Sequence, residues 1–266
     1  MSDFLEQMAK SSRDRVSAIQ VSFTDDELDR PVRPLQLAGF DMIAEIKNRS
    51  PAEGELAASD ENRVDRACRY VAGGAAAISV LTEPECFDGE LLHLEEVANA
   101  VDVPVMRKDF LVDPIQVLEA KAAGASGVLL IAAMLDRQSL TAMLDCAFEH
   151  GLFVLLESFD QANLALTSEL LEQSTYRERA EKAQLFVGVN TRNLRTLQVD
   201  PDRLEDLGPL LPESAIAVAE SGLHTSDDAR AVVGWGYRMA LVGTALMRAD
   251  DPTGLIASML AAGRAA

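Results

Sequence analysis

Three features of the 266-residue sequence predict an α/β fold, a single (β/α)8 TIM barrel with an N-terminal helical extension. Eight short runs rich in Val, Ile and Leu recur along the chain. A stretch of helical composition follows each of them. The runs are nearly continuous in hydrophobicity rather than alternating, as parallel strands covered on both faces are.

The extension comes first. Residues 2–20 read as a helix capped by Ser2 or Asp3, with Phe4, Leu5, Met8, Val16 and Ile19 on its apolar side. A polar, Pro-containing linker follows, from Ser22 to Pro34. The barrel runs are Met42–Lys47, Ala76–Leu81, Val103–Lys108, Gly127–Ile131, Leu152–Glu157, Leu185–Asn190, Ala215–Glu220 and Met239–Gly243. The helical stretches are Asn62–Gly73, Glu90–Val101, Pro114–Ala123, Arg137–His150, Gln161–Lys182, Pro201–Leu207, Ser226–Gly234 and Pro252–Ala262. Gly73-Gly74, Gly124 and Gly151 stand at helix ends, where a left-handed cap is expected. The polar part of the fifth stretch, Glu172–Glu181, reads as a surface insertion. No second domain is visible, so residues 1–40 are taken as extension and 41–266 as barrel. A doubly wound open sheet ranks below the barrel, because no G-x-G-x-x-G follows a strand.

Composition bounds the function. The chain is 48% hydrophobic and 25% charged, as soluble globular proteins are, and only 5% aromatic. Its 24 basic residues face 43 acidic ones, a net charge of −19. Such a chain repels phosphate backbones and anionic membranes, so neither nucleic acid nor membrane is expected as a partner. Cys68, Cys86 and Cys146 are far apart and lack metal-ligand spacing, which reads as reduced thiols in a cytoplasmic protein. Residues 1–15 have no apolar core, so no signal peptide is expected, and no run is long enough to cross a membrane. The chain ends soon after the eighth helix, so no fused second enzyme is expected. The sequence does not fix the oligomeric state; a monomer suits it.

In a barrel, chemistry belongs at the C-terminal ends of the strands. The ends here are Glu45 and Lys47 in the first run, Lys108 in the third, Glu157 in the fifth, Asn190 in the sixth and Glu220 in the seventh. One such residue could simply mark where polarity resumes at the surface. Six converging on one mouth are costly unless paired or used. Glu45 and Lys47, two apart, share a strand face and can tune each other's proton affinity. Lys108 and Glu157 can face each other across the mouth as general acid and general base. After the last two strands come Ser221-Gly222 and Gly243-Thr244, small residues whose N–H groups can approach a phosphate, with a helical turn over 245–248. The residues therefore point to acid–base chemistry on a phosphorylated, doubly anionic small molecule. No metal set is visible: His93 and His150 lie in helical stretches, and His224 follows the seventh loop.

The stretches IAEIKNRSPAEGEL (43–56), ISVLTEPECFDGELLHLEEV (78–97), VPVMRKDFLVDPIQVLEAKAAGASGVLLIAAML (103–135), VGVNTRNLRTLQVD (187–200), VAESGL (218–223) and LVGTALMRADDP (241–252) resemble indole-3-glycerol phosphate synthase, in order, through nearly the whole chain. That family carries an extension over the barrel that helps form the substrate site. The resemblance implies a step of tryptophan biosynthesis: 1-(2-carboxyphenylamino)-1-deoxyribulose 5-phosphate closes a ring, loses carbon dioxide and water, and gives indole-3-glycerol phosphate, without a cofactor. It implies Lys108 as the acid that protonates the leaving hydroxyl and Glu157 as the base of the dehydration. Lys47 would hold an anionic group or share the acid role, and Glu45 would orient the lysines. Asn190 and Ser221 complete the expected catalytic set. Ser50, Arg192, Glu220, Phe87 and Phe110 are the expected substrate contacts, Arg192 and Asn190 at the anthranilate part. Ser221, Gly222, Gly243 and Thr244 would hold the phosphate.

Three departures from the family stand out. Ala52-Glu53 replaces the usual Ser-Lys of S-P-S-K-G, an acid for a mobile loop lysine. Strand five continues Ser158-Phe159 where a hydrophobic residue and then His or Asn are usual. The Gln161–Lys182 segment is longer. These leave a divergent paralogue as the alternative, either a non-catalytic phosphate-ligand-binding barrel or an enzyme of a related sugar phosphate. Loss of Lys108 or Glu157 would favour the non-catalytic form, and both are present.

Overall fold

A computed structural model describes residues 3–19, 22–51, 54–56 and 62–266. Ser2 and Gln20 at the ends of the expected first helix, and Ala52-Glu53 after the first strand, lie outside the described residues. Eight parallel strands close into a barrel: β1 (Asp41–Ile46), β2 (Ala77–Leu81), β3 (Val105–Lys108), β4 (Gly127–Ile131), β5 (Phe153–Ser158), β6 (Leu185–Asn190), β7 (Ile216–Glu220) and β8 (Met239–Val242). Each pairs with the next, and β1 closes on β8 with Asp41 opposite Met239. The eight apolar runs are therefore the eight strands. Their starts shift by a residue or two, most at β3, where Pro104 has no N–H for a ladder and serves only as acceptor from Ile78 N–H.

Helices alternate with the strands and carry the expected start signals. Asn62, Asp113, Asp136, Asp160, Thr225 and Asp251 each accept a hydrogen bond from the first turn of the helix they precede. Gly74, Gly124 and Gly151 take left-handed φ values of 98°, 91° and 75°. Gly73 does not; its φ is −76°. It is small for a different reason: a Cβ there would stand 2.8 Å from the Thr253 carbonyl oxygen and 2.9 Å from Ile256 Cβ, where two helices cross.

The Gln161–Lys182 stretch is two helices, Gln161–Leu171 and Ser174–Glu181. The second is more than a surface insertion. Tyr176 and Ala180 are buried, Tyr176 donates to Asp145 at 3.1 Å, and Arg179 stacks 5.2 Å from the Phe148 ring centroid. The linker also holds a short helix, Asp25–Leu28, closed by a Thr24–Glu27 capping box. Beyond it, Arg30 and Arg33 strap the segment beneath the barrel by donating to the carbonyls of Ala122 and Ala98.

Inward-facing residues fill the barrel in layers. At the bottom, Phe153 meets Phe186 edge-on at 5.8 Å. Gly127 makes that possible, since a Cβ there would overlap the Phe153 ring. Ile43, Met106, Leu129, Leu155, Val218 and Leu241 continue the same interior cluster, which reaches Leu5 and Met8 of the N-terminal helix. That helix, Phe4–Ala18, lies across the C-terminal mouth. Phe4 N–H donates to the Arg195 carbonyl at 3.2 Å, Arg195 pairs with Asp3 at 2.9 Å, and Gln116 Nε2 donates to Ser12 at 3.0 Å.

Candidate active site

Parity along the strands puts the polar groups on the uppermost interior layer. Ile43 and Glu45 share the inward face of β1, Met106 and Lys108 that of β3, and Leu155 and Glu157 that of β5. Each strand thus changes from apolar to ionisable in one two-residue step, at the height where the barrel opens.

Glu45 sits between two ammonium groups. Its Oε1 is 2.8 Å from Lys47 Nζ and its Oε2 is 3.3 Å from Lys108 Nζ. Burial alone would push this carboxyl up, but the two lysines overcome that and hold it at about 2. Lys108 Nζ also lies 3.5 Å from Glu220 Oε2. Burial would push the Lys108 ammonium down; Glu45, Glu220 and Glu157 together raise it instead. Glu220 is fully buried below the mouth, and its carboxyl is pushed well above the usual range by burial and by neighbouring Glu157.

Glu157 is buried and accepts a hydrogen bond from Asn190 Nδ2 at 3.1 Å. Asn190 Oδ1 accepts from Arg192 N–H at 2.9 Å, which fixes the amide's orientation. Asn190 is therefore a holder of Glu157 as well as a wall of the cavity. Arg192 lines the cavity while its guanidinium donates to the Leu197 carbonyl at 3.0 Å.

The cavity brings together Glu45, Lys47, Ser50, Lys108, Glu157, Asn190 and Arg192, together with Ser221, Gly222, Gly243 and Thr244. Glu220 is the one expected site residue that does not line it and reaches it through Lys108. Gly243 has a second duty that its sequence position did not suggest. A Cβ on it would overlap Glu45 Oε1 and stand 3.1 Å from Lys47 Nζ, so the acid–base pair of β1 occupies space left by β8.

Ser221 and Gly222 both take left-handed backbone, with φ of 66° and 78°. For serine this is a strained conformation, of the kind held in place at ligand sites. The turn brings both residues to the wall of the cavity. Beside it, on the neighbouring strand, the helix Thr244–Arg248 starts at Gly243 with no side chain among the described residues accepting its first N–H groups.

The apolar wall is aromatic on one side. Phe87 and Phe110 are 6.1 Å apart, and Phe4 meets Phe110 edge-on at 5.9 Å. Phe4 was legible in sequence only as a helix residue; the extension places it in the site. Leu129, Ile131, Leu194 and Leu241 complete the wall. Glu83, beside the strand-two end, is a helix cap that accepts from the N–H groups of Glu85, Cys86 and Phe87. The histidines stand apart from the charge cluster. His93 Nδ1 accepts from Glu90 N–H, His150 ends a helix, and His224 is an exposed residue at the cavity rim.

The family model of indole-3-glycerol phosphate synthase matches residues 5–259. An indole-3-glycerol phosphate synthase of Nocardioides sp. is 42% identical over 96% of this chain and 94% of its own length. That of Methanopyrus kandleri is 42% identical over 98% of this chain and 99% of its own. Among solved structures, 3-hexulose-6-phosphate synthase from Salmonella typhimurium superposes with a TM-score of 0.64 at 16% identity, covering 84% of this chain and 98% of that one. At that identity the likeness is one of fold.

Proposed function

The chain belongs to the indole-3-glycerol phosphate synthase family, and from that premise we propose how its own residues divide the work. The reaction is ring closure with loss of carbon dioxide and water, converting 1-(2-carboxyphenylamino)-1-deoxyribulose 5-phosphate to indole-3-glycerol phosphate.

Lys108 is the general acid. The observation that carries this assignment is its position: an ammonium group at the mouth, 3.3 Å from Glu45 and 3.5 Å from Glu220, which keep it charged and therefore holding a proton to give. It delivers that proton to the oxygen that becomes the departing hydroxyl. Glu157, oriented by Asn190, takes the proton lost as water leaves. Lys47 faces the substrate carboxylate, and Glu45 sets both lysines. Glu220 acts from below, through Lys108.

The substrate's two anionic ends suit the two sides of the mouth. The strained Ser221-Gly222 turn and the open start of the Gly243-Thr244 helix take the phosphate. The aromatic ring lies against Phe4, Phe87 and Phe110, with Ser50 and Arg192 at its edge. We read the chain as one domain, the extension 1–40 completing the site of the barrel 41–266; the buried contacts of Leu5 and Met8 with the barrel interior support this. Among the described residues no helix is long and apolar enough to cross a membrane. Three unpaired cysteines suit a reducing compartment, so we place the reaction in the cytoplasm.

The test is indole formation followed by fluorescence, with wild type beside Lys108→Ala and Glu157→Gln. Each variant is expected to fall by about 100-fold or more. Near-wild-type turnover in either removes that residue from its role.

A further inference from the structure

Gly188 lies in mid-strand on β6, where a side chain is the rule. Its backbone is not left-handed, so conformational freedom does not explain the glycine. Its neighbours do. Across one ladder it is level with Glu157 of β5, and across the other with Val218 of β7. Glu220 stands two residues beyond Val218, on the same inward face, and folds back over Gly188. A Cβ on Gly188 would overlap Glu220 Oε1 and stand 3.1 Å from Leu155 Cδ1.

The Glu220 carboxyl has few other anchors. Its Oε2 faces Lys108 at 3.5 Å and Glu157 lies beside it, while its Oε1 accepts from no donor among the described residues. A buried carboxyl held only by Lys108 at 3.5 Å and by neighbouring Glu157 takes its direction from the shape of the space around it. We infer that Gly188 is a positioning residue for the synthase reaction: its missing side chain is the slot that seats the Glu220 carboxyl and so aims it at Lys108. The inference rests on the assignment of Lys108 as the acid. It assigns to a glycine of the strand interior a role in proton delivery without contact with substrate.

The steric conflict is of a particular kind. The atom a methyl would meet is the end of a flexible side chain, and not backbone. Gly188→Ala therefore leaves the barrel folded and moves the carboxyl. Glutamate's extra methylene is what carries the carboxyl into the slot, so shortening Glu220 to aspartate draws it out again.

The experiment is a double-mutant cycle on the natural reaction, using wild type, Gly188→Ala, Glu220→Asp and the double variant. Gly188→Ala is expected to lower kcat by on the order of 100-fold, with KM changed less than about threefold. In the Glu220→Asp background the same methyl is expected to cost less than about fivefold. A generally weakened barrel would give the same penalty in both backgrounds, and that result, or an unchanged kcat in Gly188→Ala, overturns the inference. A wild type that makes no indole would instead overturn the functional reading. The crystal structure of Gly188→Ala then decides separately: the Glu220 carboxyl displaced from Lys108 by about 1 Å or more supports the slot, and an unmoved carboxyl refutes it.

Discussion

Arg15 and Asp109, 94 residues apart, form a two-pronged ion pair, with Nη1 to Oδ2 at 2.9 Å and Nη2 to Oδ1 at 2.7 Å. Asp109 also accepts from Thr82 at 2.8 Å and from Arg107 at 3.1 Å. It stands between Lys108 and Phe110, so the clamp on the extension is set into the strand end that carries the proposed acid.

Breaking the clamp should loosen the extension and destabilise the fold. Arg15→Met leaves Asp109 buried with Arg107 as its remaining charge partner. A loss of about 2 kcal/mol is expected, below the value for a fully stranded buried charge, because Arg107 stays and Arg15 is partly exposed. Urea unfolding of the variant measures it; a midpoint equal to wild type would make the clamp ornamental.

Acid should act through the same carboxyl and through Glu45. Burial pushes Asp109 up, but hydrogen bonds from Arg15 and the nearby Arg107 bring it from 3.8 down to about 2, and Glu45 falls from 4.5 to about 2. Both folded values lie below the unfolded ones, so the unfolded chain binds more protons. The stabilisation is complete above about pH 5 and is lost as pH falls toward 2, on the order of 2 kcal/mol for each group. Unfolding free energy measured between those limits should decline with acid, and Asp109→Asn should flatten part of the decline. A profile level down to pH 2.5 contradicts the assignment.

Phe4 should contribute to binding more than to chemistry. Phe4→Ala removes one aromatic face from the cavity and its edge-on partner from Phe110. KM is expected to rise about tenfold, with kcat within about twofold. A fall in kcat at constant KM would mean that the extension positions reacting groups.

Gly127→Ala tests the bottom of the barrel. The new methyl would overlap the Phe153 ring, which Phe186 and the surrounding core keep from swinging aside. A destabilisation of about 1–3 kcal/mol is expected from overpacking, with kcat per folded molecule unchanged. Wild-type thermal stability would show that the ring can retreat.

Much of the architecture was readable because parallel strands buried on both faces must be apolar throughout, and the eight runs are. The charged residues at their ends stood out against that background, which made Lys108 and Glu157 legible before any geometry. The break at Glu172-Gln173 was not legible: neither residue is Gly or Pro, and the second helix is held by Tyr176 and Arg179 against a helix distant in sequence. Phe4 and Gly188 were hidden for a related reason. What each of them meets, Phe110 for one and Glu220 for the other, is far away in sequence, and no local pattern records that. Glu83 shows the converse: it has the look of a strand-end acid, yet its carboxylate accepts from the N–H groups of Glu85, Cys86 and Phe87 in the turn that follows it.

The seating of Glu45 in space left by Gly243 has a consequence for biosynthesis of the molecule itself. The first strand supplies the acid–base pair, but the last strand supplies the room for it, and the ladder that joins them closes only when Met239 meets Asp41. A chain emerging from the ribosome therefore carries its charged residues long before it can arrange them. Contacts of such high sequence separation form late and slowly. Because that arrangement draws on both the first strand and the last, it needs the closed ring, and competence for catalysis is tied to completion of folding.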